Sequence, residues 1–317
     1  MFIRPMFRFV PDGTRIRFMR GRFLGIAVSA VLSTLSVALF FYPGLNLGID
    51  FAGGIVMEVH TPAPADLAKI RAGLAGQGIH EPGVQRFGAA DDVLIRMQAQ
   101  PTAAATQAVV NKVRTGLDQA QPGTKVVRTD AVGPSVSAEL YRNGMLALGI
   151  SLLMILVYIW FRFEWQFAIG AVTTLVLDIT KAMGFLVLTR FDFDLVMVAA
   201  ILTVLGYSTN DKVVVYDRVR ENLRKYKTMP LRELIDLSIN ETLNRTLGTS
   251  ATVFLAALPL ALFGGATLSG FAWVMLFGIV VGTSSSIFIA APILLFLGEN
   301  RLRRDAQAPV KVAKAAS

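Results

Sequence analysis

The sequence predicts a polytopic α-helical membrane protein of six transmembrane helices, with one ferredoxin-like α+β domain between the first and second. Three observations predict it. Of 317 residues, 54% are hydrophobic and 17% charged, with a mean hydropathy of +0.55, whereas a soluble domain carries about a quarter charged residues. Six apolar runs approach the ~20 residues that a bilayer core requires. The arginines and lysines gather in three places that fall on one side of a six-span topology.

The spans are read at 23–42, 143–162, 167–189, 194–215, 246–264 and 271–297. The first is long for the apolar core of a signal peptide, and Tyr42-Pro43-Gly44 follows it instead of a small-residue cleavage site. It therefore reads as a retained anchor. Residues 1–22 form a basic arm, with Arg4, Arg8, Arg15, Arg17, Arg20 and Arg22. Residues 216–244 read as a loop rich in arginine and lysine, and 298–317 as a basic tail with Arg301, Arg303 and Arg304. The positive-inside rule makes all three cytoplasmic, both termini included. The net charge of +9 is accounted for by these segments and calls for no nucleic acid. Within the loop, Leu231, Leu234 and Ile235 keep helical spacing and predict an amphipathic helix lying on an anionic leaflet.

Residues 43–142 then lie outside. "GGIVMEVHT" alternates as a strand, "PADLAKIRAGLAGQG" places apolar residues at helical spacing, and "GVQRFG" with "DVLIRMQ" reads as a hairpin. A second amphipathic helix, "TAAATQAVVNKVRTGLDQA", and a closing strand, "KVVRTDAVGP", complete a β-α-β-β-α-β order, which is that of a ferredoxin-like domain. Leading into it, "GIDFAGG" contains Gly48, Asp50, Phe51, Gly53 and Gly54. It reads as a joint that couples the outer domain to the bundle, or as a bulge at the start of a strand.

Ionisable groups inside spans cost ~2.5–3.5 kcal/mol each at a helix centre and mark function. Asp211 lies in "GYSTND" of the fourth span, one turn after Tyr207 and beside Asn210. It is either a sheltered acid that exchanges a proton or the end of the span meeting water. Arg245 opens the fifth span and shares an i, i+4, i+7 stripe with Thr249 and Thr252. It reads as the wall of a water path or as a snorkelling interfacial cation. Asp178 and Lys181, three apart in the third span, form an intrahelical pair or a second relay station. "GTSSS" (282–286) suits close helix packing. Cysteine is absent and only His60 and His80 are present, so no metal site and no cofactor is expected. No phosphate loop, nucleophile elbow or HExxH is found, and neither Asp178 nor Asp211 sits in the glycine-x-glycine-aspartate context of an intramembrane protease. The chain does not read as an enzyme.

Six stretches occur in an order that matches a known family: "LNLGIDFAGGIVMEV" (45–59), "VGPSVSAEL" (132–140), "GYSTNDKVVVYDRVREN" (206–222), "TLNRTLGTS" (242–250), "FGGATLSGF" (263–271) and "GTSSSIFIAAP" (282–292). The chain resembles the SecF side of the SecD/SecF family of bacterial protein translocase subunits. The resemblance implies half of an RND-type transporter fold in the bacterial inner membrane, with 43–142 periplasmic. It also implies a heterodimer with SecD, association with the SecYEG channel and YajC, and use of the proton motive force to complete export of an unfolded preprotein. By motif position Asp211 matches the family's proton-path aspartate and Arg245 its essential arginine. Alternative roles are a passive assembly scaffold and half of a small-molecule exporter. Three positions depart from the family pattern: Leu177 before Asp178, Ser137, and Lys212 directly after Asp211. Lys212 either acts on Asp211 or, since adjacent helical residues point about 100° apart, faces the cytoplasmic interface and snorkels.

Overall fold

The computed structural model describes residues 10–11, 14–79, 82–87 and 89–297. The tail 298–317, His80 and most of the arm's first thirteen residues lie outside them. Helix α1 (Arg22–Phe41) leads through a short α2 (Ile49–Ala52) into the outer domain. That domain runs β1 (Gly54–His60), α3 (Leu67–Gly76), β2 (Gly83–Phe87), β3 (Ala89–Met97), α4 (Ala103–Ala120) and β4 (Lys125–Val132). The chain returns as α5 (Pro134–Arg162), α6 (Trp165–Thr189), α7 (Leu195–Lys225), α8 (Leu231–Phe263) and α9 (Gly265–Ser285). A π-turn (Ser286–Ala290) joins α9 to α10 (Ala291–Phe296). The π-turn precedes Pro292, whose missing N–H leaves a carbonyl unpaired one turn back. Among the described residues six helices are long and apolar enough to cross a membrane.

The outer sheet has the order β2-β3-β1-β4, every pair antiparallel, which is the ferredoxin-like topology that the β-α-β-β-α-β order predicts. Alternation drives it: Ile55, Met57 and Val59 of β1 face inward and pack with Ile70 and Leu74 of α3 and Val113 and Leu117 of α4. Both helices begin on side-chain caps. Asp66 accepts from the Ala68 and Lys69 amides and Thr102 from Ala105, satisfying donors that a first turn leaves open. On the exposed β1–β3 surface His60 Nδ1 lies 2.7 Å from Asp92, a bond that raises the imidazole above its ordinary value.

Gly53 and Gly54 have positive φ values of 72° and 136°, and a Cβ on Gly54 would sit 2.7 Å from the Met97 carbonyl oxygen. The β1–β4 register shift falls between Glu58 and Val59, so the glycines are not a strand-start bulge. They are where the backbone turns under β3. Gly54→Val is expected to destabilise the outer domain by about 1–3 kcal/mol, seen as faster proteolysis within 54–132 in the membrane-embedded protein.

The bundle ends depart from expectation. The expected loop 216–244 is mostly helix: α7 continues to Lys225, and α8 begins at Leu231. Hydropathy falls after Val215, but the helix persists because its polar end is satisfied laterally. Asn222 Nδ2 donates to Ser238 and Glu241, and Arg218 pairs with Glu241 at 2.7 Å. Leu231, Leu234 and Ile235 are buried with Met19, Tyr216, Val219 and Leu223, so no separate interfacial helix forms there. The described part of the basic arm lies along α8. Asp236, Asn240 and Asn244, four apart, accept from the Met19, Ile16 and Val10 amides, and the two asparagines also donate to the Ile16 and Val10 carbonyls. The described part of the basic arm and the polar ends of α7 and α8 thus gather at the end of the bundle opposite the outer domain. Helix α1 reaches α6 closely at Gly184, where any side chain would overlap Ser36.

Candidate functional site

The polar interior of the bundle is built where α6, α7 and α9 meet. Asp178 is its hub, 2% exposed. Its Oδ2 accepts from Lys212 Nζ at 2.8 Å, Ser208 Oγ at 2.6 Å and Ser285 Oγ at 2.8 Å. Its Oδ1 faces Lys181 Nζ at 3.6 Å and has no hydrogen bond among the described residues. Lys212 also bonds the Ser208 hydroxyl, and its Nζ lies 3.3 Å from the Ser208 carbonyl. At 1% exposure Lys212 does not snorkel; α7 points it inward at the carboxylate of α6. The expected Asp178–Lys181 pair is present, but it is the longer of two contacts, and Lys212 makes the shorter.

Asp211 is the second acid, 8% exposed. Thr283 Oγ1 donates to its Oδ2 at 3.2 Å, and Thr283 lies 2.7 Å from Ser250 of α8. The α7 helix carries on for fourteen residues past it, so Asp211 is inside the helix and not at its end. Every second residue of the 283–285 stretch therefore serves an acid, Thr283 for Asp211 and Ser285 for Asp178. Those hydroxyls, with Ser208 and Ser250, are the site residues that sequence reasoning assigned to packing or passed over. No spacing in the sequence singles them out, because Thr283, Ser284, Ser285 and Ser286 are four hydroxyl residues in a row and the acids lie on other helices.

Other predicted residues stand elsewhere. Tyr207, 37% exposed, and Asn210 lie on the outward face of α7 with Thr203, a polar stripe at membrane depth. Arg245, Thr249 and Thr252 make the corresponding exposed stripe on α8. Thr249 Oγ1 turns back to the carbonyls of its own helix, and Arg245 forms no ion pair among the described residues. The structure thus does not bring Arg245 to Asp211 within the single chain.

The "GIDFAGG" segment is clamped to the loop that joins α6 and α7, the two helices that hold the charges. Gly48 N–H donates to the Phe193 carbonyl at 2.9 Å and Phe193 N–H to Asn46 at 2.7 Å. Asp50 accepts from the first amide of α7 at 3.2 Å. Phe51 packs against Tyr141 and Phe193 with ring centroids 5.6 and 5.4 Å apart. Asp192 accepts from Asn46 at 2.5 Å and forms an ion pair with Arg96 of β3. Burial pushes the Asp192 carboxyl above its ordinary range, with Arg96 pulling it back. The segment leading to the outer domain and the loop between α6 and α7 are thus held together by hydrogen bonds, ring contacts and an ion pair.

The protein export membrane protein SecD/SecF C-terminal family matches residues 112–300, and the SecD/SecF GG motif matches 38–61. A protein translocase subunit SecF from Cereibacter sphaeroides is 41% identical over 312 residues, covering 96% of both chains. One from Rickettsia rickettsii is 44% identical over 295, covering 93% of this chain and 95% of its own. The crystal structure of SecDF, a translocon-associated membrane protein from Thermus thermophilus, superimposes with a TM-score of 0.81 at 30% identity. It covers 90% of this chain and 39% of its own. A super-membrane-facing form of SecDF gives 0.68 at 31%, covering 96% and 41%. The chain thus spans about two fifths of the SecDF chains that it matches.

Proposed function

The chain belongs to the SecD/SecF family of protein export membrane proteins, and we propose that it pairs with SecD and uses the proton motive force to promote late steps of Sec-dependent export. The observation that carries this reading is Asp211: an acid in mid-helix, shielded by Thr283, at the edge of a face that presents polar side chains toward lipid. Backbone and side-chain polar groups at membrane depth are expensive unless covered. The exposed Thr203–Tyr207–Asn210 and Arg245–Thr249–Thr252 stripes are such a face, and SecD is the partner that covers it. Arg245 then meets its counter-charge across that interface. SecYEG, YajC and an unfolded preprotein are the remaining partners in this reading. The basic ends face the cytoplasm and the outer domain the periplasm of the bacterial inner membrane.

Each proton that crosses down 100 mV releases ~2.3 kcal/mol. Protonation of Asp211 removes the charge that Thr283 holds and permits a second packing of α7 against α6 and α9. The clamp at Asn46, Asp50 and Asp192 passes that movement to the outer domain, which grips emerging polypeptide. The test is preprotein export by inverted vesicles that carry this chain with SecD, with and without an ionophore. A gain from the pair that the ionophore abolishes supports the reading. A gain that survives collapse of the proton gradient points to a passive scaffold.

A further inference from the structure

We infer that the cleft between α7 and the turn joining α5 to α6 binds the phosphate of an anionic phospholipid headgroup. The inference rests on the membrane spans and not on the proton-driven reading. The cleft, of about 550 Å³, is lined by Arg162, Asp217, Arg220, Glu221, Arg224 and Lys225. Its depth in the membrane follows from helix lengths. Helix α5 ends at Arg162 and α6 begins at Trp165, so the turn between these two spans stands at the membrane surface. Helix α7 has 31 residues, about 46 Å at 1.5 Å per residue, against a hydrocarbon core of about 30 Å. Its 217–225 end therefore passes through the headgroup layer. The turn and the helix meet there: Arg162 pairs with Asp217 at 2.5 Å and Arg220 with Glu164 at 2.7 Å. Around the turn Trp160, Phe161 and Trp165 are exposed, aromatic rings of the kind that mark a bilayer interface.

The lining carries four cations against two acids. The neighbours that pair with it, Glu164 on Arg220 and Arg218 on Glu221, bring one charge of each sign. Even with Glu241, which lies beyond Arg218 on α8, a positive surplus remains. Arg220 also holds its Nε–H buried without a hydrogen bond among the described residues, a donor that a phosphate oxygen satisfies. Guanidinium groups match phosphate oxygens in pairs. Cations in the last turn of α7 suit its helix dipole, which accounts for Arg224 and Lys225 but not for Arg162 and Arg220 facing them across the cleft. Soluble phosphate offers the same oxygens as a lipid. Placement favours the lipid: Ile150, Met154, Val157 and Phe161, at helical spacing, form an exposed apolar stripe on α5 that ends beside Arg162. Acyl chains follow that stripe when the headgroup sits in the cleft.

The test is native mass spectrometry of the full chain purified with SecD and given phosphatidylglycerol, phosphatidylethanolamine or inorganic phosphate. Phosphatidylglycerol, the anionic lipid, is expected to bind about tenfold more tightly than the zwitterionic ethanolamine lipid. Arg224→Gln with Lys225→Gln removes two exposed cations of the lining. At about fivefold per cation near a membrane surface, the pair is expected to weaken phosphatidylglycerol about twentyfold and to leave the ethanolamine lipid as it was. The same loss of charge on the outer domain, Lys112→Gln with Arg114→Gln, should leave both lipids unchanged. No weakening by the first double variant, or equal weakening by the two, overturns the inference. If inorganic phosphate binds the wild type as tightly as phosphatidylglycerol and is lost in the same variant, the cleft is a soluble-anion site and the lipid assignment falls. If the double variant fails to co-purify with SecD, Lys225→Gln alone decides: about fivefold weaker binding supports the inference, and unchanged binding overturns it.

Discussion

Asp211→Asn, expressed with SecD, is expected to reach the membrane at the normal level and to export preprotein about fiftyfold less effectively. The amide keeps the shape of the carboxylate and can still meet Thr283, so packing is retained. What disappears is the titratable carboxyl that the proposed proton-driven cycle requires. If one proton across ~100 mV supplies ~2.3 kcal/mol, its loss corresponds to a factor of about fifty at 1.4 kcal/mol per tenfold. The measurement is the fraction of a secreted preprotein still unprocessed in cells, set against the amount of subunit in the membrane. Arg245→Met is expected to weaken export similarly and to weaken co-purification with SecD as well, because that side chain is turned out of the bundle.

Asp178→Asn is expected to act on stability first. Removing the hub leaves Lys181 and Lys212, both essentially buried, without the carboxylate that both contact. Breaking a buried ion pair from one side costs about 3–5 kcal/mol, a large fraction of the stability of an ordinary domain. Subunit level in the membrane and the unfolding temperature of the purified protein should both fall. Replacing the whole cluster, Asp178→Leu with Lys181→Met and Lys212→Met, is expected to recover most of that loss. Apolar side chains of similar size need no counter-charge. If the single and triple variants are equally unstable, loss of the shared carboxylate is not what destabilises the single variant.

The architecture was legible because two periodicities carry it. Six apolar runs set the spans, and the alternation of Ile55, Met57 and Val59, followed by helical spacing at Ile70 and Leu74, set the outer domain. The ends of α7 and α8 were not legible, because hydropathy reports lipid contact and not helix. Those ends are held by lateral bonds such as Asn222 to Ser238 and Glu241, whose partners lie sixteen and nineteen residues away. Asp211 could be singled out as an acid within an apolar run, and its shelter is visible once α9 is in place.

The direction of Lys212 could not be read from its neighbours in sequence. A residue next to Asp211 on a helix turns by about 100°, and only the position of Asp178 on another helix decides whether that turn leads inward. For the same reason Thr283 and Ser285 looked like packing residues: small hydroxyls serve close approach in membranes generally, and the acids that they bond lie on α6 and α7. Arg245 marks the opposite case. Its stripe was evident in sequence, but it forms no ion pair among the described residues.

The most direct measurement is proton entry into liposomes that contain the purified pair of this chain with SecD, under an inward pH gradient and a defined potential. The wild-type pair should acidify the lumen well above protein-free liposomes, and the Asp211→Asn pair should not. Equal acidification by the two would show that hydrogen ions cross without using this acid, and the account of how the molecule is driven would be wrong.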